Sequence, residues 1–252
     1  FFDKLEKCNY FLHIIEKTKH KKLSDRELQY LLNEPNIGDG GVWTMGVNLI
    51  EKYGIVPQSY MKENIHSLSS KELNYFLFTN LKRFAFYIRS GEKITRKEMM
   101  YTIYKILCLF LGEPTDKFTW EFYDKNKTFH RYSDITPLEF YKKYICKNCN
   151  LNLKEYKLCI NYPVKKYPYN KKYVIQYCSN MVNKNIEFMN LSLSAFKKLV
   201  LKSLKDKEPV WFAGDITHDF DKYSGVFDTD ILNYDVLYNK KTSVLSKGNK
   251  LN

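Results

Sequence analysis

The amino-acid sequence predicts an α+β fold, and three observations predict it. Apolar residues recur at helical spacing in five stretches before residue 112. From Phe118 onward the pattern changes to alternation and short apolar runs, which read as strands. Hydrophobic residues make up 44% and aromatics 16% of 252 residues, enough to build a proper core.

Taken in order, the first helix covers about 2–19, with Leu5, Cys8, Leu12 and Ile15 on one face and His13 and His20 read as surface residues. A second starts at Ser24 with Glu27 reaching back as a capping box, buries Leu28, Leu31 and Leu32, and ends at Pro35. Gly38-Asp39-Gly40-Gly41 then forms a glycine-rich turn, since glycine suits backbone that lies open or takes positive φ. Trp43, Val47 and Ile50 carry a helix of about three turns, with Gly54 as a left-handed cap and Pro57 beyond.

Two longer helices follow between 70 and 111. The first carries Leu73, Phe76, Leu77, Leu81, Phe84, Ala85 and Ile88 and closes at Gly91. The second opens on the capping box Thr95-Arg96-Lys97-Glu98, buries Met99, Ile103, Ile106, Leu107 and Phe110, and stops at Gly112. Phe118, Trp120 and Phe122 alternate as a strand, 124–127 turns, and 128–132 returns. Thr136-Pro137-Leu138-Glu139 has every part of a helix start. Strands are expected at 158–162 and 173–178, and a helix at 194–204. Pro209-Val210-Trp211-Phe212-Ala213-Gly214-Asp215 reads as a buried strand, Ser224-Gly225 as a turn, and Leu232, Tyr234 and Leu237 as a short amphipathic piece.

One run carries more than fold. Asp39-Gly40-Gly41-x-Trp43-x-Met45-x-Val47-Asn48-Leu49-Ile50-Glu51-Lys52-Tyr53-Gly54-Ile55-Val56-Pro57 closely resembles the bleomycin hydrolase and aminopeptidase C family of papain-like cysteine aminopeptidases. Phe1 to Cys8, Phe118 to Lys125, Thr136 to Tyr141, Tyr169-Asn170-Lys171 and Ser179-Asn180-Met181-Val182 match that family too.

The resemblance implies a papain-like fold: a helical half over 1–66 with a Gly-Gly cleft edge, an inserted helical arm over 67–115, and an incomplete β-rich half over 116–252. It implies peptide substrates whose backbone pairs with Gly40 and Gly41 beside Asp39, and Ala213 as a wall residue of the specificity pocket. It also implies a cytoplasmic protein without cofactors, assembled as a homo-oligomer (a hexamer in the family). The helical arm is the part that hooks subunits together there. An ordinary helical hairpin packed on its own domain fits the same apolar faces.

No catalytic residue is assigned within these 252 positions. None of the six Cys stands in a Cys-Trp context, and no His-Ala or Asn-Ser-Trp motif occurs. In the family the Cys and the oxyanion Gln precede the part matching Phe1, and the His and Asn follow the part matching Asn252. His130 and His218 read as surface residues. The chain opens on Phe1 rather than Met, which suggests a piece of a longer protein.

Cys8 and Cys108 read as core residues. Cys146-Lys147-Asn148-Cys149 is a lone C-x-x-C, and Cys159 and Cys178 give no second tight pair, so no metal site is expected. No apolar run approaches the roughly 18 residues of a membrane span. The formal charge is +13, and only Arg26, Arg83, Arg89, Arg96 and Arg131 among the 41 basic residues are Arg. Lys, Asn, Ile and Tyr share AT-rich codons, so a solvated lysine surface is the plain reading. Weak nucleic-acid binding stays open beside it, as some members of the family do this, and so does a non-catalytic scaffold that keeps the papain-like fold and has lost the site.

Overall fold

The computed structural model describes residues 1–147, 152–175, 177–214, 220–227, 238–239 and 244–245. They fall into two compact units, 1–156 with 175–186, and 157–174 with 187–252.

The described residues of the first unit include the helices α1 (Phe2–Thr18), α2 (Arg26–Asn33), α3 (Trp43–Tyr53), the single turn α4 (Ile65–Leu68), α5 (Lys71–Ser90), α6 (Arg96–Leu111) and α7 (Pro137–Glu139). Helix α1 lies at its centre. Its Cys8, Phe11, Leu12 and Ile15 share one core with Leu28, with Leu73, Leu77, Leu81, Phe84 and Ala85 of α5, and with Met99, Ile103 and Leu107 of α6. The helical pair between 71 and 111 therefore buries its apolar stripes against its own unit. Phe76, on the expected stripe, is left about half exposed.

Local chemistry sets most boundaries. Thr95 and Glu98 cap α6 reciprocally, and Thr136 and Glu139 do the same for α7. Gly91 ends α5 in the left-handed conformation. Two details differ from expectation. Helix α2 is capped by Asp25, whose carboxylate accepts from the Leu28 N–H at 2.9 Å, while Ser24 lies in the turn before it. Asp and Ser cap equally well, so the sequence left a one-residue ambiguity. Gly54 ends α3 at φ 75°, ψ −161°, which is positive in φ but outside the left-handed helical well.

The cause at Gly54 is tertiary. A Cβ there would lie 2.1 Å from the carbonyl carbon and oxygen of Pro137. The next residue, Ile55, donates its N–H to the same Pro137 oxygen at 3.2 Å. The end of α3 thus meets the start of α7 backbone to backbone.

Strands β1 (Phe118–Tyr123) and β2 (Phe129–Ile135) form the expected antiparallel hairpin, with Trp120 opposite Tyr132 and Phe122 opposite His130. His130 is half-buried; its Nε2 lies 3.1 Å from Asp124 Oδ2 and its ring stacks on Phe122. After α7 the chain winds into a π-helix over Phe140–Cys146. This turns two adjacent rings into separate clusters, Phe140 beside Phe118 and Ile135, and Tyr141 beside Val47 and Leu153.

The second unit carries all but Ile175 and Ile186 of a three-stranded sheet in the order β3–β5–β4, where β3 is Cys159–Ile160, β4 is Lys171–Ile175 and β5 is Ile186–Asn190. Strand β4 starts two residues before the expected run. Strand β5 was not anticipated, although Ile186 and Phe188 alternate with a period of two and are both buried. Helix α8 (Leu193–Lys205) follows, its Ser192 side chain capping the Ala195 N–H. Short pairs complete the list: β6 (Phe220–Asp221) with β7 (Val226–Phe227) around Gly225, and β8 (Tyr238–Asn239) with β9 (Val244–Leu245).

The expected buried strand at 209–215 is corrected. Residues Pro209–Gly214 lie outside any strand and are exposed, Trp211 at 70% and Phe212 at 67%. A short apolar run becomes a strand only where an edge is available to pair with it. Asp215, His218, Cys149 and the piece containing Leu232, Tyr234 and Leu237 lie outside the described residues. Among the described residues no helix is long and apolar enough to cross a membrane.

Candidate functional site

The glycine turn is built on helix α1. Lys4 and Lys7 stand nearly one helical turn apart, their side chains only 7% and 1% exposed. An ammonium this buried is costly unless its donors are used. The Lys7 Nζ donates to the carbonyls of Gly38 at 2.7 Å and Gly40 at 2.8 Å and pairs with Asp3 Oδ2 at 2.7 Å. The Lys4 Nζ donates to the Ile37 carbonyl at 2.6 Å and to Asn74 Oδ1 at 2.8 Å, and pairs with Asp39 Oδ1 at 2.7 Å. Each ammonium has three donors and three acceptors, so both are saturated.

What remains outward is backbone. Gly38, Asp39, Gly40 and Gly41 are all exposed. A Cβ at Gly40 would meet nothing within 4 Å, and one at Gly41 would only touch Met45 Sδ at 3.6 Å. Neither glycine has positive φ. Their side-chain absence is therefore required neither by the backbone conformation nor by the packing beneath. Among the described residues, neither the N–H nor the C=O of Gly41 has a hydrogen-bond partner. The arrangement can offer main-chain groups to another extended chain.

Asp39 has a defined place. Its two carboxylate oxygens take Lys4 and the Ser70 hydroxyl. The hydrogen bond from Lys4, then that from Ser70, holds its carboxyl below the ordinary 3.8. A carboxylate depressed in the folded state contributes stability above its unfolded pKa, and that contribution is lost as pH falls through the folded value. The urea midpoint of the protein should therefore exceed that of Asp39→Asn above pH 4, and the gap should close below pH 3.8. A gap constant from pH 3 to 6 would remove the ion pair from the account.

Helix α3 is fixed from two sides. Buried Glu6 of α1 accepts from Lys52 Nζ at 2.6 Å and from the Tyr53 hydroxyl, and Phe2 stacks on Tyr53. Asn180, fully buried, donates to the Met45 carbonyl at 2.9 Å. These polar anchors were missed at the sequence level. Lys4, Glu6 and Lys7 look like a solvated stripe in one dimension. The signal that pointed to them was the match of Phe1 to Cys8 with the resembled family.

Ala213 belongs to the second unit and is exposed within the irregular 209–214 segment. The strand that was to carry it is absent there. Three of the described cysteines have thiols shifted away from reactivity. Burial pushes Cys8 up to about 12 and raises Cys159 and Cys178 as well. A nucleophilic thiol needs the opposite shift. Among the described residues no three His, Cys, Asp or Glu side chains converge as a metal site.

The fold belongs to the papain-like class of peptidase folds, as its likeness to a solved structure and to a family of peptidases shows. The solved structure of PepW from Lactobacillus rhamnosis HN001 is similar with a TM-score of 0.80 at 37% identity, covering 87% of this chain and 50% of that one. The chain belongs to the Peptidase C1-like family, which it matches over residues 1–252. Mouse bleomycin hydrolase is 34% identical over 264 residues, covering 100% of this chain and 57% of the mouse protein. Aminopeptidase C of Listeria monocytogenes is 37% identical over 251 residues, covering 97% and 56% respectively. The family is one of cysteine peptidases. The chain spans a little over half the length of these relatives.

Proposed function

We propose that this chain is the central part of a cysteine-type aminopeptidase that removes N-terminal residues from peptides. In this reading a thiolate attacks the carbonyl carbon of the peptide's first residue. The shortened peptide leaves as an amine that takes a proton from a His, and water then hydrolyses the thioester. The Cys, the His and the Asn that orients it lie outside these 252 residues, and no cofactor takes part. The present part contributes the cleft edge at Gly40 and Gly41, stiffened beside Asp39.

The observation that carries the reading is the open Gly40-Gly41 backbone, its Gly40 carbonyl held by the buried Lys7 ammonium, within a chain matched throughout to cysteine peptidases. Main-chain pairing binds peptides of many sequences, as an enzyme acting on varied N-termini requires. By likeness to the family, the protein works in the cytoplasm as a homo-hexamer. Any affinity for nucleic acid arises from its lysine charge and falls steeply with salt.

The test is mass spectrometry of a ten-residue peptide incubated with the full-length protein. Residues should disappear one at a time from the N-terminus, and the N-acetylated peptide should stay intact. Cleavage at internal bonds would replace the aminopeptidase reading with an endopeptidase. The 252-residue chain alone should give no turnover.

A further inference from the structure

The Lys7 ammonium divides the hydrogen-bonding groups of the glycine turn in two. It draws the Gly38 and Gly40 carbonyls to one side, at 2.7 and 2.8 Å, and is itself held by Asp3 at 2.7 Å. Among the groups it does not reach, the N–H and C=O of Gly41 face no partner among the described residues. Glycine backbone is the most freely moving kind, and an exposed four-residue turn with three glycines would sample many shapes. A buried, saturated ammonium removes that freedom before any ligand arrives. Preorganisation of this kind strengthens binding because less is lost on ordering the site.

We propose that Lys7 is a positioning residue for peptide binding. It acts through the Gly38 and Gly40 carbonyls, without touching the substrate, and sets the direction in which Gly41 offers its N–H and C=O. Lys4 supports it as a second clamp, through Ile37 and the carboxylate of Asp39. This rests on the aminopeptidase reading, in which the Gly40-Gly41 edge receives the peptide. It adds a residue that contributes through main-chain geometry alone.

The test uses the full-length protein and peptide substrates. Lys7→Met keeps the length of the side chain but removes its donors, and it should raise KM about ten-fold or more while kcat changes far less. Lys7→Arg, which keeps the charge and donors, should recover most of the loss. Asp3→Asn loosens the ammonium without emptying its place and should raise KM about three-fold, which keeps the question decidable if Lys7→Met does not fold. The rate of active-thiol alkylation by iodoacetamide, which does not need the edge, should be unchanged in Lys7→Arg and Asp3→Asn.

Unchanged KM in every folded variant overturns the inference. So does a fall of kcat and alkylation rate with KM unchanged, which marks a loss of folded enzyme instead of a weakened edge. Wild-type protein with no thiol-dependent turnover at all overturns the aminopeptidase reading itself, and the inference with it.

Discussion

Gly54→Ala is expected to cost about 4 kcal/mol or more and to prevent the first unit from folding at 37 °C. Two effects act together. The backbone there, φ 75° and ψ −161°, belongs to a region that is essentially reserved for glycine. The added carbon would also sit 2.1 Å from the Pro137 carbonyl group, where backbone rather than a flexible side chain must move. Relief would have to break the Ile55 N–H bond to Pro137 and separate α3 from α7. Gly91→Ala is the control: it also has positive φ, but its added carbon meets nothing within 4 Å, and it should cost about 1 kcal/mol. Urea unfolding of both variants checks this. Equal midpoints would mean that the close approach at Pro137 is not real.

Gly41→Ala should behave in the opposite way. Its backbone is not in the positive-φ region, and its Cβ would make ordinary contact with Met45 Sδ at 3.6 Å. Stability should stay within about 0.5 kcal/mol of wild type, as for other unstrained surface changes. Peptide binding should suffer, because the methyl group stands where a paired backbone approaches. Loss of one or two main-chain hydrogen bonds predicts a KM rise of about 10- to 100-fold. Gly46→Ala, inside α3 with open space around its Cβ, should leave KM unaltered. A Gly41→Ala enzyme with wild-type KM would mean that this edge does not receive substrate.

The contrast between these glycines shows what the sequence could and could not reveal. The limits of α3, the capping boxes at Thr95 and Thr136 and the β1–β2 hairpin were legible, because their causes lie within four residues or in a simple alternation. Gly54 was legible as a helix stop, but its reason lies across the fold at Pro137. Lys4 and Lys7 were hidden for the same cause: their acceptors are carbonyls of Ile37, Gly38 and Gly40, which no periodicity in α1 announces. At Pro209–Gly214 composition misled, since these apolar β-formers stand exposed and outside any strand. The glycine edge was found through its resemblance to a family. A Gly-Gly pair alone is too common to mark a site.

The most direct measurement is cleavage of an aminoacyl-coumarin substrate by the full-length protein, with and without prior treatment by a thiol alkylator. The account predicts turnover that the alkylator abolishes. Turnover that survives full alkylation, or none from folded, reduced protein, would contradict it.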